Sequence, residues 1–276
     1  MNQSILHNRD IRSGCWLVGL LLLLGCDAWD LKRLPAKNQP PVDTTRTSTL
    51  ANGLVAYYPF SGTTLDVGGN NQNGLLINGA TYGPDRTAAS QSALLLDGID
   101  DYFEIPDNAR FQSDAISISV WIKPKQVTST NHIYNKANWL GNTNQQYSAF
   151  IRPPRPLPAT DPCCAIWADV NQDGSCDPEQ PIQQPVIYYD PAFVMNRWYH
   201  LVTVFSGKIG KIYVNGELRQ SGTEQPAGPI DNCTGGNLRF GAQADFDVNY
   251  FNGSMDEIRV YNRLLTDVEV NHLYKL

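Results

Sequence analysis

The stretch with the clearest capacity for chemistry is Asp169-Val-Asn171-Gln-Asp173-Gly174-Ser-Cys-Asp177. Oxygen-bearing side chains at positions 1, 3 and 5, a Gly at 6 for a sharp turn and a carboxylate at 9 suit a hard cation such as calcium. Position 12 is Gln180 where a bidentate Glu would complete the loop, and Glu179 stands one residue early. The same residues also suit an Asx-rich turn that satisfies its own backbone. Around this stretch lie Cys163, Cys164 and Cys176, with Cys233 farther on. In an exported chain these four should be oxidised. Neighbouring Cα atoms are about 3.8 Å apart, short of the roughly 4.4–6.8 Å that disulfides span, which disfavours a Cys163–Cys164 bridge. One of the two should then close a local loop with Cys176 and the other tie this region to Cys233. Zinc is the rival use, but no His lies nearby and no C-x-x-C pair is present.

Export is itself read from the N-terminal residues. An apolar run from Trp16 to Leu24 follows a weakly basic stretch. It is shorter than the roughly 20 residues of a membrane span and fits a signal segment. The run ends Leu23-Leu24-Gly25-Cys26, which resembles the lipobox of bacterial lipoproteins, where the Cys is acylated and becomes the mature N-terminus. The organisation this implies is a signal peptide over 1–25, a lipid on Cys26, a Pro- and Thr-rich tether over 26–49 and a folded body over 50–276. Membrane attachment would be through the lipid alone, in a bacterial cell envelope, at the outer membrane or cell surface.

Catalysis finds little support in residue types. The four His (7, 132, 200 and 272) are scattered, and none adjoins a Ser or Cys nucleophile motif. Asp100-Asp101 are adjacent and point to opposite faces of any strand, and Asp245-Phe-Asp247 alternates without a third carboxylate. With 21 Lys+Arg against 27 Asp+Glu the formal net charge is −6, which argues against nucleic acid as a partner. Aromatics make up 10% of the chain, and flat rings with polar edges suit sugar stacking. Trp121, Trp139, Tyr147 and Trp167 are the candidates for a binding surface, with Tyr188-Tyr189 nearby. Burial in a core is the competing role for each of them. Trp198 is expected to be buried.

The elements that must hold these residues read as short strands joined by turns. Ile116, Ile118, Val120 and Ile122 alternate with Ser117, Ser119, Trp121 and Lys123, giving one apolar and one polar face with a single aromatic. Residues 53–60, 93–96, 102–105, 211–214, 217–219, 238–241 and 255–261 are further strands. Trp198 to Phe205 is apolar on both faces, as a central strand would be. Asn215-Gly216 supplies the positive-φ pair of a tight hairpin. One helix is signalled, by the capping box of Thr266 and Glu269 with Val270 and Leu273 following on one face. The fold class is all-β, an antiparallel jelly-roll sandwich with one short C-terminal helix.

Seven blocks resemble, in order, the laminin-G-like jelly roll of the concanavalin A-like lectin/glucanase superfamily. They are Gly53–Gly62, Asp66 with Gly68–Gly74, Leu96–Tyr102, Ile118–Lys123, Trp198–His200, Ile212–Gly216 and Met255–Arg263. The resemblance covers about residues 50–276, and 142–196 departs from it as a longer, Cys- and Pro-rich insertion. It implies a second calcium site, with Asp256 of the C-terminal strand as ligand and Asp66 with the Asn70-Asn71 loop as the other contributor. It also supplies the enzyme alternative, because glucanases of this fold carry an E-x-D-x-x-E strand, yet no such strand occurs here. The reading is a non-catalytic recognition or adhesion module for a glycan or an extracellular protein. The alternatives are a glycoside hydrolase and a structural envelope protein.

Overall fold

A computed structural model of the chain describes residues 50–138, 144–153, 164–172, 185–190, 192–207, 209–222, 228–244 and 248–276. Its architecture follows from the alternation noted above. In β6 (Ala115–Gln126), Ile116, Ile118, Val120 and Ile122 all point into an apolar core shared between two sheets. The intervening Ser117, Ser119 and Trp121 are buried as well, on the opposite face. A strand buried on both sides must be central, and β6 pairs with β11 (Tyr199–Ser206) on one side and with β15 (Asn252–Tyr261) on the other.

The remaining strands complete two antiparallel sheets. The first runs β13 (Glu217–Gly222), β12 (Ile209–Val214), β11, β6, β15, β4 (Ala93–Asp97) and β3 (Thr81–Gly83). Its eighth strand, β1 (Leu54–Tyr58), pairs with the C-terminal half of β15, while β4 takes the N-terminal half. The second sheet runs β10 (Val186–Asp190), β9 (Cys164–Val170), β8 (Asn144–Arg152), β7 (Asn131–Asn138), β14 (Leu238–Phe240), β5 (Tyr102–Ile105) and β2 (Leu75–Ile77). The all-β jelly-roll sandwich expected from the strand and turn pattern is the observed fold. The segment 142–196, set apart above as an insertion, contributes three of the second sheet's strands. Tyr134 from this sheet reaches Thr203 of the first, oxygen to oxygen at 2.6 Å, a polar tie inside the core.

Turns and termini obey local chemistry. Asn215 and Gly216 take φ of 53° and 79° and join β12 to β13 in the tight hairpin that the Asn-Gly pair encodes. Gly253 (φ 150°) sits where β15 crosses β6 so closely that a Cβ would run into the Lys123 carbonyl oxygen.

The helix α1 (Asp267–Lys275) closes the outer face of the first sheet. Its capping box forms as read from the sequence, with the Thr266 hydroxyl accepting from the Glu269 N–H and the Glu269 carboxylate accepting from the Thr266 N–H. Val270 and Leu273 then pack with Leu50, Val202, Val204, Tyr213, Tyr261 and Leu265 in a second apolar cluster. Glu269 also binds the Arg263 guanidinium through two N–H donors, at 2.9 and 2.7 Å.

Burial pushes the Glu269 carboxyl upward, but its hydrogen bonds to Arg263 and Thr266 outweigh that and hold it below the ordinary 4.5. A carboxyl held low in the folded state stabilises fully above its unfolded value, and the contribution is lost as pH falls through the folded one. Glu269→Gln should therefore cost about 1–2 kcal/mol at neutral pH. In thermal melts the gap from the parent protein should close as pH drops below the ordinary carboxylate range. A constant gap across that range would show that the pairing is not what stabilises the helix.

Candidate functional site on the outer face of the second sheet

The register of β8 and β9 sets out the site. Tyr147, Ala149 and Ile151 of β8 and Ile166, Ala168 and Val170 of β9 face the core, so their neighbours face outward. Opposite pairs on the outer face are Arg152 with Ala165, Phe150 with Trp167, and Ser148 with Asp169. His132 of β7 lies beside Phe150. Phe150 and Trp167 stack with ring centroids 5.8 Å apart and planes 18° from parallel. The Arg152 guanidinium lies over both rings, 4.7 Å from the Phe150 centroid and 5.1 Å from that of Trp167, and its Nε donates to Thr130 Oγ1 at 3.0 Å. Trp167 is half-buried, and Phe150 is buried beneath it.

These side chains line a pocket of about 290 Å³, with Gln243 and Asn249 contributing polar edges. The two amides bond to each other at 2.6 Å, and the backbone N–H of His132 donates to the backbone carbonyl of Asn249, which holds this rim against β7. Burial, reinforced by the Arg152 charge, lowers the His132 pKa to about 3, so the imidazole is neutral. Its Nδ1 has no hydrogen-bond partner. Asp169 Oδ1 accepts from the Ser148 hydroxyl at 2.5 Å. Farther along the same face are buried polar groups: Asn135 accepts from the Ala244 N–H, and Gln146 donates to the Cys233 carbonyl at 2.6 Å. Such a surface can stack a flat ring and hydrogen-bond its edges. Hydrolysis with retention needs two carboxyls about 5–5.5 Å apart. Asp169 is the one carboxylate among the described residues that line the pocket. Asp245 and Asp247 lie outside the described residues.

The structure distributes the aromatic candidates unevenly. Trp167 is in the pocket and partly exposed. Tyr147 is 1% exposed, because alternation in β8 turns it into the core, where it meets Tyr134 edge-on. Trp121 is only 8% exposed, although it lies on the polar face as read. That face is covered, with Arg86 4.4 Å above its ring and Tyr274 of α1 stacked at 5.7 Å. Neither Tyr147 nor Trp121 can form an exposed platform. Trp198, expected in the core, is half-buried at the head of β11 with the Lys123 ammonium 6.0 Å from its ring. Trp139 lies outside the described residues. Tyr189 of β10 is exposed, at one end of the second sheet.

The cation ligands separate in the same way. Asp169 is a strand residue, and Asn171 directly follows β9 with its N–H donating to the Gln146 carbonyl. Asn171 Oδ1 is buried without a hydrogen-bond partner, which leaves an oxygen suited to a hard cation beside Asp169. Asp173 and Asp177 lie outside the described residues. The site implied by resemblance fits less well. The Asp66 carboxylate accepts from the N–H groups of Tyr57, Gly68, Asn70 and Gln72, which fills its roughly four lone-pair positions and folds the loop that carries Asn71. Asp256 is buried against Arg86 at 3.8 Å and accepts from the Glu257 N–H. Burial raises its pKa to about 7, and the Glu257 charge adds to the rise. Among the described residues, three acidic groups converge only at Asp97, Asp100 and Asp101, and neither Asp66 nor Asp256 belongs to that cluster.

Of the cysteines, Cys233 is disulfide-bonded, whereas Cys164 is a thiol buried at the start of β9, where its side chain joins the core. The expectation that both members of the 163–164 pair are oxidised is corrected for Cys164. Cys26, Cys163 and Cys176 lie outside the described residues. His132, Phe150 and Arg152 were not singled out by residue type. The alternation of Gln146, Ser148, Phe150 and Arg152 against Tyr147, Ala149 and Ile151 is the signal that finds the last two.

Comparisons with known proteins agree with this architecture. The laminin G family described as the concanavalin A-like lectin/glucanases superfamily matches residues 97–271. No curated protein matches the sequence. Among solved structures, domain 4 of AbnA, a GH43 extracellular arabinanase from Geobacillus stearothermophilus solved with arabinotriose, aligns with a TM-score of 0.57 at 23% identity. The alignment covers 80% of this chain and 98% of that one. The binding domain of botulinum neurotoxin DC in complex with SialylT aligns with a TM-score of 0.60 at 16% identity, over 82% of this chain and 52% of that one. The binding domain of serotype D with N-acetylneuraminic acid aligns at 0.60 and 15% identity, over 83% and 52%. The chain thus spans about half the length of the toxin domains. At these identities the likeness is one of fold.

A histidine confined to its neutral form gives a direct check on the pocket floor. His200, paired with Ser119 at 2.9 Å beneath α1, is held to about 3 by burial together with the charges of Arg259 and Arg86. NMR titration should show the imidazole signals of His132 and His200 unmoved between about pH 8 and 5, across the ordinary histidine range. A midpoint near 6.5 for His132 would mean that the pocket floor is wet.

Proposed function

Because the chain belongs to the concanavalin A-like lectin/glucanase superfamily, we propose that its body is a non-catalytic recognition module that binds a glycan on the outer face of the second sheet. The observation that carries this reading is the half-exposed Trp167, stacked on Phe150 and bordered by Arg152, Asp169, Gln243 and Asn249. A ring platform with hydrogen-bonding groups at its edges suits a pyranose, which offers an apolar face and a hydroxyl rim. The glycans named with domain 4 of AbnA and with the toxin binding domains support a glycan in preference to an extracellular protein.

The display device proposed with it is a lipid on Cys26, after removal of residues 1–25, with 26–49 as tether, placing the module on the cell envelope. No helix of the described residues is long and apolar enough to cross a membrane. Calcium is proposed at Asp169, Asn171, Asp173 and Asp177, supported by the orphaned Asn171 oxygen. A bound ion would hold the end of β9 in place beside the pocket.

Affinity electrophoresis against a panel of neutral and acidic polysaccharides tests the central reading. Trp167→Ala should weaken binding at least tenfold without changing the melting temperature, and no reducing ends should be released. Retention of full affinity by Trp167→Ala, or turnover of any polysaccharide, would replace this reading with another face or with the hydrolase. For the cation, chelation should lower the melting temperature of the parent protein and leave that of Asp173→Ala unchanged. A melting curve indifferent to chelator would leave the loop as an Asx turn.

A further inference from the structure

We infer that the pocket takes an acidic glycan, one whose sugar carries a carboxylate, and that Arg152 is the group that reads it. This rests on the glycan-binding reading above and narrows it to a substrate class.

The register provides the layout. Arg152, Phe150 with Trp167, and Ser148 with Asp169 occupy successive outward positions along β8 and β9. The basic group and the acidic group therefore stand at opposite ends of the ring platform. Arg152 lies four positions along the strand from Ser148, about 13 Å. A sugar stacked on the rings can put a carboxylate at the Arg152 end without meeting the Asp169 charge, and Asp169 Oδ1 is engaged by Ser148. His132, between them on β7, is neutral and adds no competing charge.

Arg152 also differs from the other arginines packed on the sheets. Arg86, Arg239, Arg259 and Arg263 each pair with a carboxylate, of Asp256, Glu104, Glu257 and Glu269 in turn. Among the described residues Arg152 has none. Its one hydrogen bond among them is from Nε to Thr130, which leaves both Nη groups as donors for a ligand. Contact with two rings and that single bond fix the guanidinium plane, so little side-chain freedom remains to be lost on binding. A planar, pre-oriented fork of N–H donors matches a carboxylate bidentately. The chain's net charge of −6 gives no general attraction to polyanions, so selectivity for an acidic glycan has to come from this one local group.

The test titrates the purified chain by calorimetry with oligogalacturonate, alginate-derived and chondroitin-derived oligosaccharides. Each is paired with its carboxyl-reduced counterpart, and a sulfated neutral glycan serves as an anion control. At least one uronate should bind tenfold or more tightly than its own reduced form. Arg152→Gln should bring that ratio close to one, and Arg152→Lys should fall between. Trp167→Ala should weaken both members of the pair. Thr130→Val, which frees Nε but keeps the charge, should lower the ratio part-way and guards against a fold defect in the Arg152 variants. Equal binding of reduced and unreduced forms, a ratio that survives Arg152→Gln, or preference for the sulfated control would overturn the acidic-glycan inference and leave the glycan reading standing. Absence of binding to every glycan, charged or neutral, would overturn both.

Discussion

Everything in this fold depends on β6 and β15 being buried on both faces. Their inner faces meet the apolar core, and their outer faces carry polar groups that α1 and the segments around it deny to water. Each such group therefore needs a partner inside the protein. Ser117 donates to the Arg263 carbonyl and accepts from the Leu265 N–H, Ser119 meets His200, and Tyr57 donates to the Glu257 carboxylate, which also pairs with Arg259. Trp121 fills the space between Arg86, His200 and Tyr274. Most of the described polar groups of this face are engaged in holding the helix. The outer face of the second sheet has a pocket instead, and the free guanidinium donors lie there.

That second face is polar in an unusual way. Ser148, Asn135 and Gln146 are almost wholly buried, yet they belong to strands that pack an apolar core on their other side. Lys136 is held by Asp107 at 2.5 Å and by the carbonyls of Gly235 and Gly236, and Gln146 binds the carbonyl of the disulfide-bonded Cys233. These contacts fasten the 233–237 segment across the strands. Breaking one partner of a buried charge pair is far more costly than forming it is favourable, so the arrangement resists local rearrangement. The Ser148–Asp169 and Asn249–Gln243 hydrogen bonds hold polar groups of the pocket in place, which reduces what binding must spend on ordering them.

Period-two alternation makes most of the first sheet legible from residues alone, because β6, β11 and β15 are long and, with exceptions such as Thr203, apolar at their inward positions. The Asn215-Gly216 turn and the Thr266–Glu269 cap were legible because each needs particular residue types in particular places. Alternation puts Trp121 on the correct face but does not give its environment: it says which way a side chain points, and only tertiary packing says what covers it. The 142–196 segment misled for the converse reason. Its Pro and Cys content reads as loop, and that hid β8, β9 and β10, whose polar outward residues interrupt any apolar run. The pocket therefore drew only Trp167 from the aromatic candidates, and drew Asp169 from a group singled out for calcium.

The position of β15 in the first sheet has a consequence for how the chain reaches its fold. It is the last strand in sequence, yet it sits between β6 and β4 and alone pairs with β1. A partially made chain of some two hundred and fifty residues would hold β11, β12, β13 and β6 on one side and β3 with β4 on the other, with the strand that hydrogen-bonds both still missing. Until β15 and α1 arrive, Val202, Val204 and Trp121 lack much of their cover and the edges of both halves lie open. Closure of contacts so distant in sequence is slow. The domain should therefore be a late and cooperative folder, dependent on being held soluble until its last strand is available.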